Sequence, residues 1–224
     1  MRRFLCVLFL VLGVLAFALP ANALLMSVSG PPSSAGTAAA IIMAPANALD
    51  DITTNTGMQG FNEAQGVLTT VAHGIDGGGF IAAGTLVDSH MIFLNSPGTA
   101  SLSHFNVQWT FDSPILGVMS DYSGNFEAAS TFELGAPGTN YTVTFAGSGP
   151  AAPFPARGLE VLGNPAIQDG YTISGSLITV GMQVTEPGDW IRVVTAASVP
   201  EPTTLLLIGT GLVGLVGLRR KFKA

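Results

Sequence analysis

Cysteine is almost missing from this sequence. The single cysteine, Cys6, lies in an apolar run near the N-terminus, so the rest of the chain has none. This excludes a disulfide framework, a thiol nucleophile and a cysteine metal site in the remaining residues. The stability of that part must come from packing, and its length suits one sizeable hydrophobic core.

Basic residues are also scarce. Residues 24–198 contain thirteen acids but only two basic residues, Arg157 and Arg192, which gives this body a formal charge of −11. Such a charge repels nucleic acid and anionic lipid, so nucleic acid is excluded as a partner. Every lysine lies in the C-terminal tail, which leaves the body without a lysine base or a Schiff base.

Catalytic motifs are missing from the body as well. It has no G-x-S-x-G or S-x-x-K nucleophile motif and no H-E-x-x-H metal motif. We expect the three histidines, His73, His90 and His104, to be solvated or locally hydrogen-bonded. We therefore expect no catalytic residue and no enzyme activity. The alternative is a secreted glycan-acting hydrolase that uses a carboxylate pair which the sequence does not identify.

One acidic segment, 121–127 (DYSGNFE), suggests a metal. From Asp121 to Glu127 it offers oxygens at alternating positions in a turn, which resembles the start of a calcium loop. It lacks the later bidentate Glu and the correctly placed Gly of an EF-hand, and a plain turn between strands explains it as well. We expect no bound cofactor, with calcium at this segment as the alternative.

The N-terminus has the pattern of a secretory signal. Two arginines precede an uncharged apolar run, 4–19, and a proline ends it. Ala21 and Ala23 then supply small residues at the positions that signal peptidase reads, which predicts cleavage after Ala23. We therefore assign residues 1–23 to a signal helix that signal peptidase removes.

The C-terminus combines three features in order. The first is a short motif made of Val199, Pro200, Glu201 and Pro202. Its prolines hold an extended backbone that a protease active site can accept. Residues 203–218 are uncharged and mostly apolar, which predicts a transmembrane helix. The third feature is a basic tail that stays in the cytoplasm, Arg219, Arg220, Lys221 and Lys223.

This arrangement, behind an N-terminal signal, resembles the PEP-CTERM sorting domain of Gram-negative bacteria. The resemblance covers residues 199–222. It implies recognition near Pro-Glu-Pro by an exosortase, a membrane cysteine protease-transpeptidase. It also implies co-occurrence with exopolysaccharide biosynthesis, an intermediate anchored in the inner membrane, and a fate at the cell surface or in the biofilm matrix.

Short alternating runs predict the fold of the body. The clearest strand is 104–112, where Phe105, Val107, Trp109 and Phe111 alternate with polar residues. The runs 178–184 and 190–195 flank a strong turn, which predicts a C-terminal hairpin. Weaker strand candidates lie at 66–72, 80–87, 90–94, 115–119 and 126–134. No long amphipathic helix is evident, so the sequence predicts an all-β fold, an antiparallel β-sandwich or jelly roll, between the signal helix and the transmembrane helix.

The chain therefore divides into four predicted parts. These are the signal peptide 1–23, a flexible Ala/Pro/Ser-rich lead-in 24–49, the β-sandwich body 50–198 and the sorting signal 199–224.

We expect the body to be a non-enzymatic surface or matrix protein that binds exopolysaccharide. A purely structural matrix component is a further possibility. Tyr122 and Phe154 lie in turns and are the candidates for stacking on sugars, whereas Trp109 is expected in the core. Trp190 is the other tryptophan.

Overall fold

The computed structural model describes residues 24–48, 53–98, 100–143, 152–153, 158–160, 162–185 and 188–197. Both predicted terminal signals lie outside these residues. The described chain consists mostly of β-strands with one α-helix, which agrees with the predicted all-β class.

The described strands are numbered in chain order. They are β1 (Leu25–Ser29), β2 (Ala40–Ile41), β3 (Gln59–Asn62), β4 (Val67–Leu68), β5 (His73–Ile75), β6 (Gly79–Ile81), β7 (Leu86–Leu94), β8 (Leu102–Phe111), β9 (Ile115–Met119), β10 (Thr142–Val143), β11 (Ala152–Pro153), β12 (Gly170–Ser174), β13 (Leu177–Val184) and β14 (Asp189–Ala196). The helix, α1, spans Asn125–Leu134.

Two larger sheets hold most of these strands. The four-stranded sheet has the order β1-β8-β13-β12, and all its neighbours are antiparallel. The six-stranded sheet has the order β2-β3-β7-β14-β9, with β4 also paired to β7, and only its β2–β3 pair is parallel. The pairs β5–β6 and β10–β11 form separate two-stranded sheets.

Side chains from both larger sheets form one hydrophobic core. Trp109 and Ile178 come from the four-stranded sheet, and Ile92, Ile191 and Val193 come from the six-stranded sheet. All five side chains are fully buried. Because burial of each large apolar side chain contributes roughly 1.5–3 kcal/mol, this core is the main source of stability.

The other face of the six-stranded sheet is also covered. Trp190 and Val194 alternate along β14 with the residues of the first core, so they point the opposite way. Trp190 stacks on Phe93 with ring centroids 3.9 Å apart, and Val194 belongs to a second cluster with Leu134 of α1. Coverage on two faces explains why β7 and β14 are buried along almost their whole length.

Several predicted strands are confirmed. The strands β8, β9, β13 and β14 coincide with the predicted runs 104–112, 115–119, 178–184 and 190–195 to within two residues. The strand β4 lies in the weaker run 66–72. The strand β6 lies in the weaker run 80–87 apart from its first residue, and β7 begins in that run and continues through the run 90–94.

The segment 126–134 is helical, and its prediction as a strand is wrong. The buried residues of α1 are Glu127, Ser130 and Leu134. Two of these are polar, so the helix carries no apolar stripe at the spacing by which a helix is normally recognised.

The predicted C-terminal hairpin is also wrong. The strand β13 belongs to the four-stranded sheet, whereas β14 lies between β7 and β9 in the six-stranded sheet. The turn residues between them predicted the change of direction but did not specify the partner of β14. Here the connection passes from one sheet to the other.

A bulge in β8 interrupts the predicted alternation. Where β13 advances by two residues, β8 advances by three, from Val107 to His104, and Asn106 takes a left-handed φ of 58°. The alternation therefore shifts by one residue. His104 is buried, while Phe105 is only half-buried, so the predicted alternation does not hold at Phe105.

Part of the predicted flexible lead-in is ordered. The strand β1 pairs with β8, and Leu25 is buried in the first core. The strand β2 pairs with β3. The prediction of flexibility is corrected for β1, whose sequence carries little strand signal of its own.

Candidate functional site

A groove lies beside the C-terminal half of α1. It has a volume of about 630 Å³ between the helix and the loop 135–141. Its described lining includes Thr131, Phe132, Glu133, Thr139, Asn140 and Tyr141. A concave surface that combines apolar area with a few directed polar groups is the default candidate for ligand binding.

Phe132 is the aromatic side chain of this groove that faces solvent. It is 72% exposed, and its ring centroid lies 6.2 Å from that of His73. An exposed aromatic ring beside polar groups can stack on the apolar face of a cyclic ligand. The sequence interpretation missed Phe132 because it treated 126–134 as a strand.

Glu133 is held in a fixed position at the groove. Its Oε2 lies 2.5 Å from His73 Nε2, and its Oε1 accepts the N–H of Thr70 at 2.6 Å. Burial acts to raise the pKa of Glu133, but these hydrogen bonds outweigh it and the pKa is lowered. Glu133 is therefore an ionised acceptor, which suits hydrogen bonds from ligand hydroxyls. Among the described lining residues it is the only acid, whereas glycoside hydrolysis requires two.

A buried ion pair connects this groove to the six-stranded sheet. Arg192 donates from Nε and Nη2 to the two carboxylate oxygens of Glu63 at 2.7 and 2.8 Å. The Tyr141 hydroxyl donates to Glu63 at 2.6 Å. Nη1 of Arg192 donates to Ser130 Oγ at 2.6 Å and to the Glu127 carbonyl at 2.7 Å. The network joins β14, α1 and the groove, so it fixes the position of the groove walls.

The electrostatics of this network indicate a structural role. Burial, together with the charge of Glu63, raises the pKa of Tyr141, so its phenol remains a neutral donor. Burial alone would lower the pKa of Arg192, but the charge of Glu63 raises it. A phenol that resists ionisation is a poor nucleophile.

The segment 121–127 begins the helix. Asp121 accepts the N–H of Phe126 at 2.7 Å through Oδ1 and that of Asn125 at 3.0 Å through Oδ2. Its carboxylate therefore satisfies N–H groups that have no partner within the helix. Glu127 is fully buried. Calcium at this segment remains a prediction.

A second acidic cluster was not singled out from the sequence. One carboxylate oxygen each from Glu160, Asp169 and Asp189 lies within 4.8 Å of the others. Burial raises the pKa of Asp169, and so does the charge of Glu160, although the N–H of Gln183 lowers it. Three carboxylates of this kind suit a hard divalent cation. The residues are 9 to 29 positions apart in sequence, so no local motif marks the cluster.

His90 lies in its own network in the first core. Asn62 Oδ1 accepts the N–H of Leu25 at 3.0 Å, so His90 Nδ1, 2.8 Å away, is the protonated nitrogen and donates to the same oxygen. His90 Nε2 then accepts from the Thr195 hydroxyl at 3.1 Å. Burial lowers the pKa of His90 to about 3, so the ring stays neutral at ordinary pH.

His104 also has local partners. Its Nδ1 accepts the N–H of Met58 at 2.9 Å, and its Nε2 donates to the Pro31 carbonyl at 2.8 Å. Burial lowers its pKa, and the bond to Pro31 opposes the shift. Thus His73, His90 and His104 each hydrogen-bond to a different set of residues.

The predicted aromatic residues fall into three groups. Trp109 is fully buried, as predicted, and Trp190 is fully buried as well. Tyr122 is 57% exposed in the turn before α1. Phe154 lies outside the described residues.

The predicted processing residues lie outside the described residues. They are Ala21, Ala23, Val199, Pro200, Glu201, Pro202, Arg219, Arg220, Lys221 and Lys223, together with the apolar run 203–218. Within the described part of the chain, no helix has the length and apolar character that a membrane crossing requires.

Comparison with known families gives one match. The family model described as the PEP-CTERM protein-sorting motif matches residues 198–221, a range that includes the Pro-Glu-Pro motif. The comparisons with curated proteins and with solved structures give no match. The sorting prediction is confirmed, and the body has no assigned family. Residues 198–221 therefore carry a PEP-CTERM sorting motif, which implies export, a membrane-anchored intermediate and processing by an exosortase.

Proposed function

We propose that the body is a non-enzymatic module that binds polysaccharide at the cell surface or in the extracellular matrix after exosortase processing. The sorting motif at residues 198–221 supports the destination. The groove beside α1 supports the binding. The formal charge of −11 on the body suits a soluble surface protein better than one that binds anionic polymers.

The single observation that carries the proposal is the position of Phe132. Its exposed ring stands beside the fixed carboxylate of Glu133 and the polar side chains of Thr131 and Asn140. A sugar ring presents an apolar C–H face and a rim of hydroxyl groups. An aromatic ring with neighbouring acceptors and donors is the chemistry that recognises both.

A glycan hydrolase has less support. Its reaction needs one acid and one base or nucleophile on either side of the bond that breaks. The described groove lining offers Glu133 alone, and its lowered pKa disfavours the role of general acid.

The sandwich assignment is part of the same proposal. The two larger sheets contribute to one core, which supports their packing face to face. A jelly roll is the other arrangement that the sequence predicts.

The test compares two exposed phenylalanines. Binding of the full chain, purified in detergent, to the exopolysaccharide of the producing bacterium is measured by affinity electrophoresis. Phe132→Ala should weaken binding by about five- to tenfold, since an aromatic contact contributes about 1–1.5 kcal/mol. Phe80→Ala is the matched control, because Phe80 is 69% exposed on β6 and is not among the groove residues.

Two results would contradict the proposal. Equal loss of binding in both variants would mean that the groove has no special role. No retardation of the wild-type chain would favour a purely structural matrix component.

A further inference from the structure

The chain enters and leaves the body beside the same turn. Leu24 donates its N–H to Asp112 Oδ1 at 3.0 Å, and Ala196, the last residue of β14, donates its N–H to the Pro114 carbonyl at 2.9 Å. Asp112 and Pro114 both belong to the short turn 112–114 that joins β8 to β9. We term this end of the body, around Leu24, the turn 112–114 and Ala197, the exit end.

Both chain directions at the exit end lead to segments with the pattern of a membrane segment. The predicted signal peptide 1–23 precedes Leu24, and five residues, 198–202, separate Ala197 from the predicted transmembrane run 203–218. An extended chain spans at most about 3.3–3.6 Å per residue, so this connection reaches no farther than roughly 20 Å. In an intermediate anchored by that run, the exit end therefore lies close to the headgroup layer, which is about 5–8 Å thick on each side of the bilayer.

Exposed apolar side chains gather at the exit end. Leu68 of β4 and Leu86 of β7 are direct cross-strand partners, 60% and 41% exposed, and the Leu86 carbonyl accepts the N–H of Ala197 at 3.2 Å. The turn between β12 and β13 joins the same end, because the Gly175 carbonyl accepts the N–H of Ile115 at 3.0 Å. The other exposed apolar side chains on strands that begin or end here are Leu24, Met26, Leu116 and Ile173. Such a group marks a surface that meets an apolar partner.

The exit end is almost free of charge. Its segments are 24–26, 66–70, 82–87, 111–116, 173–177 and 195–197. Within these described segments Asp112 is the only charged residue, and its carboxylate accepts the N–H of Leu24. The predicted cleavage after Ala23 turns that N–H into an ammonium group, which would neutralise Asp112.

The opposite end of β14 has the contrary character. Asp189, the first residue of this strand, belongs to the acidic cluster with Glu160 and Asp169. The eight residues of β14 place Asp189 roughly 25 Å from Ala196. The acidic cluster and the uncharged apolar end are therefore separated along the length of the sheet.

We propose that the exit end is a docking surface for the lipid bilayer, on which the body rests while the sorting signal is still attached. Its apolar side chains can enter the membrane interface, and its lack of charge avoids the repulsion that an acidic protein meets at anionic lipid. The membrane anchor keeps this surface at a high effective concentration next to the bilayer, so a weak contact is sufficient. Cleavage by an exosortase would remove the anchor and release the body. The inference does not depend on polysaccharide binding.

The experiment measures how close two labelled positions lie to lipid. The full chain carries Cys6→Ser, which removes its only cysteine, and is placed in phosphatidylcholine vesicles that contain a lipid with a nitroxide on its headgroup. Leu68→Cys carries a fluorophore at the exit end. Leu162→Cys is the matched control, because Leu162 is 58% exposed and lies two positions from Glu160 of the acidic cluster. The nitroxide should quench most of the fluorescence at position 68 and little at position 162.

Two further variants separate docking from mere tethering. Leu86→Asp, added to the labelled Leu68→Cys chain, places a charge next to the label, and Leu116→Asp places one on β9. Each should reduce quenching at position 68 to the level at position 162, because a charge at this surface opposes its entry into the interface. Unfolding followed by tryptophan fluorescence checks that each variant is folded, and two variants are used so that a folding defect in one does not decide the result.

Three outcomes would overturn the inference. Equal quenching at both positions would mean that the body has no preferred end toward the bilayer. Stronger quenching at position 162 would place the acidic end on the membrane. Quenching at position 68 that survives Leu86→Asp and Leu116→Asp in folded chains would mean that the anchor alone brings this end to the lipid.

Discussion

The two faces of the six-stranded sheet are built in different ways. The face toward the first core has an apolar centre where β7 and β14 meet, with Ile92 beside Ile191, and the neutral His90 and Thr195 lie farther along the two strands. The face toward α1 combines the stacked pair Phe93 and Trp190 with the buried ion pair of Arg192. Both faces are equally buried, so the difference lies in the chemistry and not in exposure.

This contrast shows how each layer is specified. An apolar face tolerates any partner of suitable shape, and many small contacts share the stability. A buried ion pair has no substitute partner, so it fixes the position of α1 but fails if one member is removed. The position of α1, which forms one wall of the groove, is therefore fixed more strictly than the packing of the apolar core.

The largest expected effect follows from removing the cation of the ion pair. Arg192→Met keeps a similar volume but leaves the Glu63 carboxylate buried without its counter-charge. We expect a loss of about 3–5 kcal/mol in the free energy of unfolding. Urea unfolding of the full chain, followed by tryptophan fluorescence, measures it.

The double variant Glu63→Gln with Arg192→Met is the control for this prediction. It removes the isolated charge, so it should recover part of the stability lost in the single variant. A single variant that loses less than about 1 kcal/mol would show that the two faces do not differ as described.

The next effect concerns His90, a polar residue on the apolar face. Its pKa is about 3 in the folded chain and near 6.5 when unfolded, so between these values the unfolded state binds more protons. This contribution to stability is complete above about pH 6.5 and is lost as the pH falls toward 3. From pH 6.5 to 5 the loss should be roughly 1.6 kcal/mol.

The variant His90→Gln isolates the contribution of His90 to the pH dependence of stability. The slope of unfolding free energy against pH should become flatter over this window, whatever the variant does to stability at neutral pH. His104, whose pKa is also lowered, contributes a remaining slope. An unchanged slope would show that His90 is not the group that titrates.

The smallest effect tests the apolar face by itself. Ile191→Val removes one buried methyl group from the first core and should cost about 0.5–1.5 kcal/mol, with no added pH dependence. The same urea experiment measures it. A cost above about 3 kcal/mol would mean that this face is as intolerant of substitution as the face toward α1.

The sequence predicted the parts of the fold in which polarity alternates. Ile178 and its neighbours on β13 follow a period of two, and the strand is present. The helix was missed because Glu127 and Ser130 occupy its buried face, and their burial depends on Arg192, which lies more than 60 residues away. A local pattern cannot report such a long-range pairing.

The candidate site was less predictable than the fold. The groove depends on Phe132 lying next to the loop 135–141, which follows from the helix that was missed. The bulge at Asn106 likewise changed which side of β8 faces inward, and no glycine marks it. By contrast, the sorting motif is local and ordered in sequence, so it was recognised directly.

The position of β14 has a consequence for biogenesis. It is the last described strand, yet it lies inside the six-stranded sheet, between β7 and β9, and the sorting motif begins at residue 198, two residues after it ends. A polypeptide that emerges N-terminus first delivers this strand after all its neighbours. We therefore expect the sheet to stay open until translocation is nearly finished, so that completion of the fold coincides with arrival of the protease recognition sequence at the bilayer.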